Sequence, residues 1–236
     1  MSVLILTGAG ISASAGIPTY RDGGSSWKDA DLEKKSHATR YGNHLDELWN
    51  KHWGPVYDAM QAAEPTHAHR AIAEFQKAHP ETIVATQNID TLHERAGSDN
   101  VAHVHGSMSP YCMKCKGNRI VSWRGNGAPE CLDCGARKSR PDVVLFGEML
   151  NSKLMKGLSR FSTQPETTHV IAVGTSLNVF PAATLVLDVV GSMKTTILIN
   201  KESLPMQKWF TEVHNTEADS VIDIVLENVL NDIRTK

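Results

Sequence analysis

All four cysteines of this 236-residue chain, Cys112, Cys115, Cys131 and Cys134, fall within 23 residues, and the remaining 213 contain none. Disulfide frameworks spread their cysteines through small secreted chains. This distribution marks one local device instead. Each Cys-x-x-Cys forms a tight knuckle that aims two sulfurs at one point. Two knuckles fifteen residues apart complete a tetrahedron for zinc. A redox dithiol is the rival reading of a single pair, and the doubling at this spacing argues against it. Protein sulfur would fill every coordination position, so the expected ion is structural.

Outside that stretch the chain alternates. Short apolar runs at Val3–Thr7, Thr82–Thr86, Val143–Phe146, His169–Val173 and Thr195–Ile199 read as strands. Runs such as VLIL and HVIAV are continuously apolar, the pattern of parallel strands covered on both faces. Between them, Pro65–His79 places Ala68, Ile72, Phe75 and Ala78 at helical spacing, and Phe180–Val190 is a second candidate. Asp219–Ile233 keeps Val221, Ile222, Val225, Leu226, Val229 and Leu230 on one face. Alternating strands and helices predict an α/β chain with a doubly wound parallel sheet. Two segments break the alternation. Residues 28–64 read as short helices and loops, and residues 107–141 hold the cysteines. Both read as insertions that build a second lobe.

Composition narrows the function classes. A net charge of -2 with no block of five like charges lacks the footprint of a general nucleic-acid binder. No sequence-specific nucleic-acid partner is expected. No apolar stretch approaches the roughly 18 residues of a membrane span, so no membrane partner is expected. Met1 leads almost at once into an apolar run, which predicts a cytoplasmic protein without a targeting segment.

Three stretches carry candidate chemistry. The first, Gly8-Ala9-Gly10-Ile11-Ser12-Ala13, follows the first strand and matches G-x-G-x-x-A. Such glycines permit a tight turn and close approach of a pyrophosphate at a helix N-terminus. A glycine-rich turn that only packs on the sheet gives the same letters. The acidic partner expected about twenty residues later is ambiguous, with Asp29 and Asp31 in a polar segment. Arg21 could pair with phosphate or belong to a solvated turn. The second stretch, Gln87-Asn88-Ile89-Asp90, stands at the carboxyl end of a parallel strand, where ligands bind, or forms an Asx-type turn. The third is His103-Val104-His105-Gly106. One histidine could act as a general base, the two would share one face of a strand, and spacing does not choose between them.

Taken in order, GAGIS-x-x-x-GIP-x-[FY]-R-D, TQNID, HG directly before the paired Cys-x-x-Cys, PDVVLFGE and GTSL resemble the sirtuin family, from residue 4 to about residue 228. The resemblance implies a Rossmann-type NAD domain plus a small zinc-binding and helical lobe. It implies residues 1–27, 65–106 and 142–236 as the former, with 28–64 and 107–141 as the latter. It implies NAD-dependent removal of acyl groups from lysine side chains of proteins or peptides, with NAD consumed as co-substrate and one structural zinc. By resemblance, Gly8, Ala9, Gly10, Ile11 and Ser12 line the pyrophosphate. Gly16, Ile17, Pro18, Tyr20 and Arg21 belong to a loop over the cofactor, with Tyr20 where Phe is usual. Gln87, Asn88, Ile89 and Asp90 surround the nicotinamide and its ribose, with Asn88 and Asp90 counted as catalytic beside His105, the base, which also contacts the cofactor. Gly174, Thr175 and Ser176 form a second cofactor loop. Asn200 and Ala218 contact the adenosine side. Val143, Val144, Phe146 and Gly147 match the strand that pairs with the substrate peptide.

The same resemblance sets a specificity expectation. Relatives that prefer acidic acyl groups carry Tyr-x-x-Arg, and Trp49-x-x-His52 stands at the matching place. The bidentate cation is missing, which predicts acetyl over succinyl. A competing use of the same pocket is NAD glycohydrolysis or ADP-ribosyl transfer. A third reading is a non-catalytic NAD sensor.

Overall fold

The computed structural model describes residues 1–17 and 30–235. Pro18, Tyr20, Arg21 and Asp29 lie outside the described residues. The strands are β1 (Ser2–Thr7), β2 (Thr82–Thr86), β3 (Val101–His103), β4 (Gly106–Cys112), β5 (Ser139–Val143), β6 (Thr167–Val173), β7 (Thr195–Ile199) and β8 (Glu212–His214). The α-helices are α1 (Ala30–Lys35), α2 (Leu45–Leu48), α3 (Gly54–Ala62), α4 (His67–Ala78), α5 (Leu92–Arg95), α6 (Ser152–Thr163), α7 (Thr184–Leu187) and α8 (Ile222–Thr235).

Six strands pair in parallel in the order β3-β2-β1-β6-β7-β8. Counted along the chain these six run 3-2-1-4-5-6, the Rossmann order, whose topological switch falls between β1 and β6. The continuous apolar runs are explained by two-sided burial. Val3 and Ile5 pack under Ile72 and Phe75 of α4 and Val225 and Val229 of α8. Leu4 and Leu6 face the other way, onto Leu158 of α6 and Leu185 and Val186 of α7. All four β1 side chains are fully buried, each contributing about 1.5–3 kcal/mol. Val221, just before α8, and Leu230 within it are partly buried against the same cluster.

The two insertions share a third core. Leu48, Trp49 and Trp53 pack with Met108, Ala128 and Leu145. Polar ties join them: the Trp49 indole N–H donates to the Ser139 carbonyl at 2.9 Å, and the Asp46 and Asn50 side chains accept the N–H groups of Ala128 and Gly127. Between α2 and α3, residues Trp49–Trp53 form a π turn. Pro55 follows it, and a proline has no N–H to continue an α-helical ladder.

Four expectations need correction. The predicted strand Val143–Phe146 is displaced: the ladder is β5, antiparallel to β4 in a separate two-stranded sheet. Only Val143 belongs to it, because the Val144 N–H and the Phe146 carbonyl are engaged by His105 and Ala38 instead. The glycine loop leads into two short 3-10 turns, Ala9–Ile11 and Ala13–Ala15, not an α-helix. Phe180–Val190 is α-helical only over Thr184–Leu187, with turns on either side. His103 ends β3 and His105 lies in the turn before β4, so the two share no strand. The short strands β3 and β8 have too few apolar residues to announce themselves.

Candidate active site

Parallel strands end on one edge, so the loops after β1, β2, β3, β6 and β7 gather there. At the switch point the glycines are used in a specific way. The Gly8 N–H donates to the Val173 carbonyl at 3.0 Å and the Gly10 N–H to the Gly174 carbonyl at 2.8 Å. A Cβ on Gly10 would lie 2.7 Å from Gly174 Cα, and one on Gly174 only 2.5 Å from the Ile11 nitrogen. Gly174 also has φ +59, which favours glycine. What approaches this backbone is another backbone, because the loops after β1 and β6 interlock.

Gln87–Asp90 lie against that crossing. The Asn88 side-chain N–H group donates to the Gly8 carbonyl and to Ser12 Oγ, both at 3.1 Å, and Ser12 Oγ donates to Asp90 Oδ2 at 3.1 Å. Asp90 Oδ1 takes the Leu92 N–H at 3.0 Å. Gln87 Nε2 donates to Thr175 Oγ1 at 2.9 Å. Asp90 is buried, and burial pushes its carboxyl above the ordinary range, against the pull of the Leu92 N–H and the Ser12 hydroxyl. Asp90 does make a local Asx-type bond, and the amide, hydroxyl and carboxylate still converge at a strand end.

The two histidines differ in their partners. His105 Nδ1 lies 2.9 Å from the Gln87 carbonyl, which only accepts. Nδ1 therefore carries a proton, so in the neutral ring the lone pair sits on Nε2. His103 Nδ1 lies 3.2 Å from the Asn88 carbonyl, and its Nε2 lies 2.6 Å from Glu94 Oε1. Both partners accept, so His103 must donate twice. Burial works to lower its pKa, but the Glu94 carboxylate outweighs this and leaves it raised. Of the pair, only His103 has its Nε2 on a carboxylate among the described residues.

The segment after β5 is tied to His105, since the Val144 N–H donates to the His105 carbonyl at 2.9 Å. Phe146 is half exposed. Gly147, at φ +83, has the His37 ring where a Cβ would stand. An ion pair braces the segment: Arg140 bonds both Glu148 oxygens at 2.7 and 3.0 Å and the Val143 carbonyl, while Glu148 takes the Leu145 N–H. The Arg140 guanidinium also stacks over Tyr41 at 4.7 Å. Elsewhere Asn200 follows β7, and Ala218 packs with Ile11 in the main core. Ile17 belongs to the third core, with Leu92, Trp49 and Leu145. Ser176 continues the loop of Gly174, and Gly16 closes the second 3-10 turn at φ +77.

The cysteines form a separate centre. Cys112 closes β4, which starts beside His105, so roughly 20 Å of strand lies between them. The four sulfurs lie within 4.8 Å of one another, with Cys112–Cys134 at 3.7 Å and Cys115–Cys131 at 3.5 Å. A zinc tetrahedron with bonds of about 2.3 Å has edges of about 3.8 Å, so the donor set fits zinc. The knuckles are alike. The Lys116 and Gly135 N–H groups donate to the Cys112 and Cys131 carbonyls, both from left-handed residues.

The model of the Sir2 family matches residues 8–181. The chain belongs to the Sir2 family. It is 35% identical over 231 residues to NAD-dependent protein deacylase 1 of Archaeoglobus fulgidus, covering 96% of this chain and 92% of that one. It is 32% identical over 232 residues to NAD-dependent protein deacetylase 1 of Pyrobaculum aerophilum, covering 95% and 88%. Among solved structures, a Sir2 homolog–NAD complex superposes with TM-score 0.84 at 32% identity, covering 98% of this chain and 90% of that one. A complex titled Sir2-p53 peptide-NAD+ superposes with TM-score 0.75 at 27% identity, covering 100% and 94%.

Sequence reasoning on this Sir2-family chain missed the support beneath the crevice. His69 and His93 are buried with ring centroids 4.7 Å apart. His93 Nε2 meets Thr7 Oγ1 at 3.0 Å, and His69 Nδ1 meets Thr66 Oγ1 at 2.8 Å. Thr66 in turn bonds the Ile11 carbonyl. The one available signal was Thr66-x-x-His69, which forms a reciprocal capping box at the start of α4. Trp49 and His52 are buried in the small lobe. No helix among the described residues is long and apolar enough to cross a membrane.

Proposed function

We propose that this chain is an NAD-dependent protein-lysine deacylase acting on acylated lysine side chains of proteins or peptides, with His105 as the base. The observation that carries this reading is the pairing of His105 with the segment beside it. The imidazole holds its proton on Nδ1 through the Gln87 carbonyl, and its own carbonyl holds Val144. A base and a peptide-binding edge are thus one unit. Bound NAD supplies the glycosidic bond to be cleaved and the ribose that accepts the acyl group. The donor set suits it: amide, hydroxyl and carboxylate at the switch point of a Rossmann-ordered sheet. Gly8–Ser12 and Gly174–Ser176 would hold the dinucleotide, with Asn200 and Ala218 on the adenosine side. Asn88 and Asp90 would orient the nicotinamide end and exclude water. Val143, Val144, Phe146 and Gly147 would hold the peptide, and His105 Nε2 would take a ribose hydroxyl proton. The cysteines would hold zinc structurally.

Residues 1–27, 65–106 and 142–236 would form the NAD domain, and 28–64 with 107–141 the small one. Four cysteines without a disulfide among them suit a reducing compartment, which supports a cytoplasmic location. Acetyl is the preferred acyl group. Trp49 and His52 are spent on the small-lobe core and offer no fork for a second carboxylate.

The test is NAD with acetyl- and succinyl-lysine peptides, reading nicotinamide release and product mass. Acetyl-ADP-ribose is expected, with succinyl turnover at least about tenfold lower, the worth of one charge-assisted bond. His105→Ala should lower acyl transfer at least about 100-fold. ADP-ribose as the sole product would favour glycohydrolysis and overturn the reading.

A further inference from the structure

His105 has a neighbour two residues away that the proposed reaction does not use. His103 ends β3, and its ring is held at both nitrogens, by the Asn88 carbonyl at 3.2 Å and by Glu94 at 2.6 Å. A carbonyl and a carboxylate both only accept, so this geometry requires an imidazolium. Consecutive carbonyls, Gln87 and Asn88, are thus each gripped by a histidine, and the ring on Asn88 also meets the Glu94 carboxylate. Asp90, two residues on, is buried, and among the described residues its oxygens take only neutral donors, the Ser12 hydroxyl and the Leu92 N–H. The titratable groups facing the pair are Asp90 on the loop and Glu94 and buried His93 on α5. His103 favours the ionised form of Asp90 and Glu94 opposes it.

We propose that His103, clamped by Glu94, is a positioning residue of the crevice: its imidazolium fixes the Asn88 backbone and supports the charge on Asp90, while His105 serves as the base. The two histidines divide the work because one has a carboxylate on its second nitrogen and the other does not. The activity arm of the test rests on the deacylase reading; the spectroscopic arm does not.

The first measurement is imidazole nitrogen NMR of the full chain without ligand. At pH 6 both His103 nitrogens should be protonated, titrating above 6.5, the ordinary value. Glu94→Gln should lower that midpoint by about half a unit or more. A bare His103 nitrogen at pH 6, or a midpoint unmoved by Glu94→Gln, overturns the proposal. The second is the pH profile of kcat/KM. His103→Asn keeps a donor for the Asn88 carbonyl but leaves Glu94 uncompensated. The acid limb should move up by about half to one unit, and adding Glu94→Gln should return most of the shift. An unmoved limb with only a lower melting temperature would reduce His103 to a structural clamp. If His103→Asn fails to fold, the Glu94→Gln profile and the NMR midpoint decide. If no deacylation occurs at all, the NMR result still decides the charge on His103.

Discussion

The crevice and the cysteine centre are both built from backbone turns, but they are assembled in opposite ways. Each sulfur has its partners within 23 residues, and two matching knuckles present them. The crevice bonds join residues 76 to 88 positions apart. Its glycines serve a contact between loops separated by about 165 residues of chain, a figure read from Gly10 and Gly174. A local centre needs only its ligands and their spacing. A non-local one needs every strand of the sheet in order before its loops can meet.

The contrast can be broken most forcefully at the metal. A site supplied by one segment should fail as a unit. Cys131→Ser, or prolonged chelation, should lower deacylation more than about 100-fold, because structural zinc in small peptides contributes on the order of 10 kcal/mol to folding. The parallel sheet has separate cores and should keep most of its far-UV circular dichroism. Full activity in metal-free protein would remove the separation drawn here.

The interlocked loops should respond next. In Gly10→Ala the new methyl meets the Gly174 backbone, which has no rotamer to move. A loss of about 2–3 kcal/mol is expected in urea unfolding, together with weaker NAD binding. A variant as stable as the parent, weakened only toward NAD, would mean that the glycines serve the ligand alone.

A smaller and pH-dependent effect sharpens the comparison beneath the crevice. Burial holds His69 down to about 4 and His93 to about 3. In the unfolded chain both take protons below about 6.5. Between these values the unfolded state binds more protons, so stability falls as pH drops from about 6.5 toward 4. The loss should be on the order of 3 kcal/mol for each of the two histidines by pH 4. Urea midpoints measured across that range should show the slope, and His93→Gln should flatten it by about one proton. His103 carries the opposite sign: its raised pKa contributes stability that is lost as pH rises.

Much of this could be read before the fold was known. The runs at β2 and β7 were legible to the residue because they are apolar on both faces. The apolar stripe of α8 was legible because its period survives burial. Val143–Phe146 misled because a short apolar run reads alike in a sheet and in a loop wedged between two lobes. The helix expected after Ala13 failed because a glycine motif reports a tight turn and carries no information on the conformation of the next residues.

The sequence by itself determined the sulfur centre and the alternation that builds a doubly wound sheet, since both are written in spacing and polarity along one stretch. Only the tertiary structure decided why Gly8, Gly10 and Gly174 must be glycine, and which histidine meets a carboxylate. Those answers depend on what lies opposite each group, a carbonyl or a carboxylate brought in from another loop, and no local pattern records that.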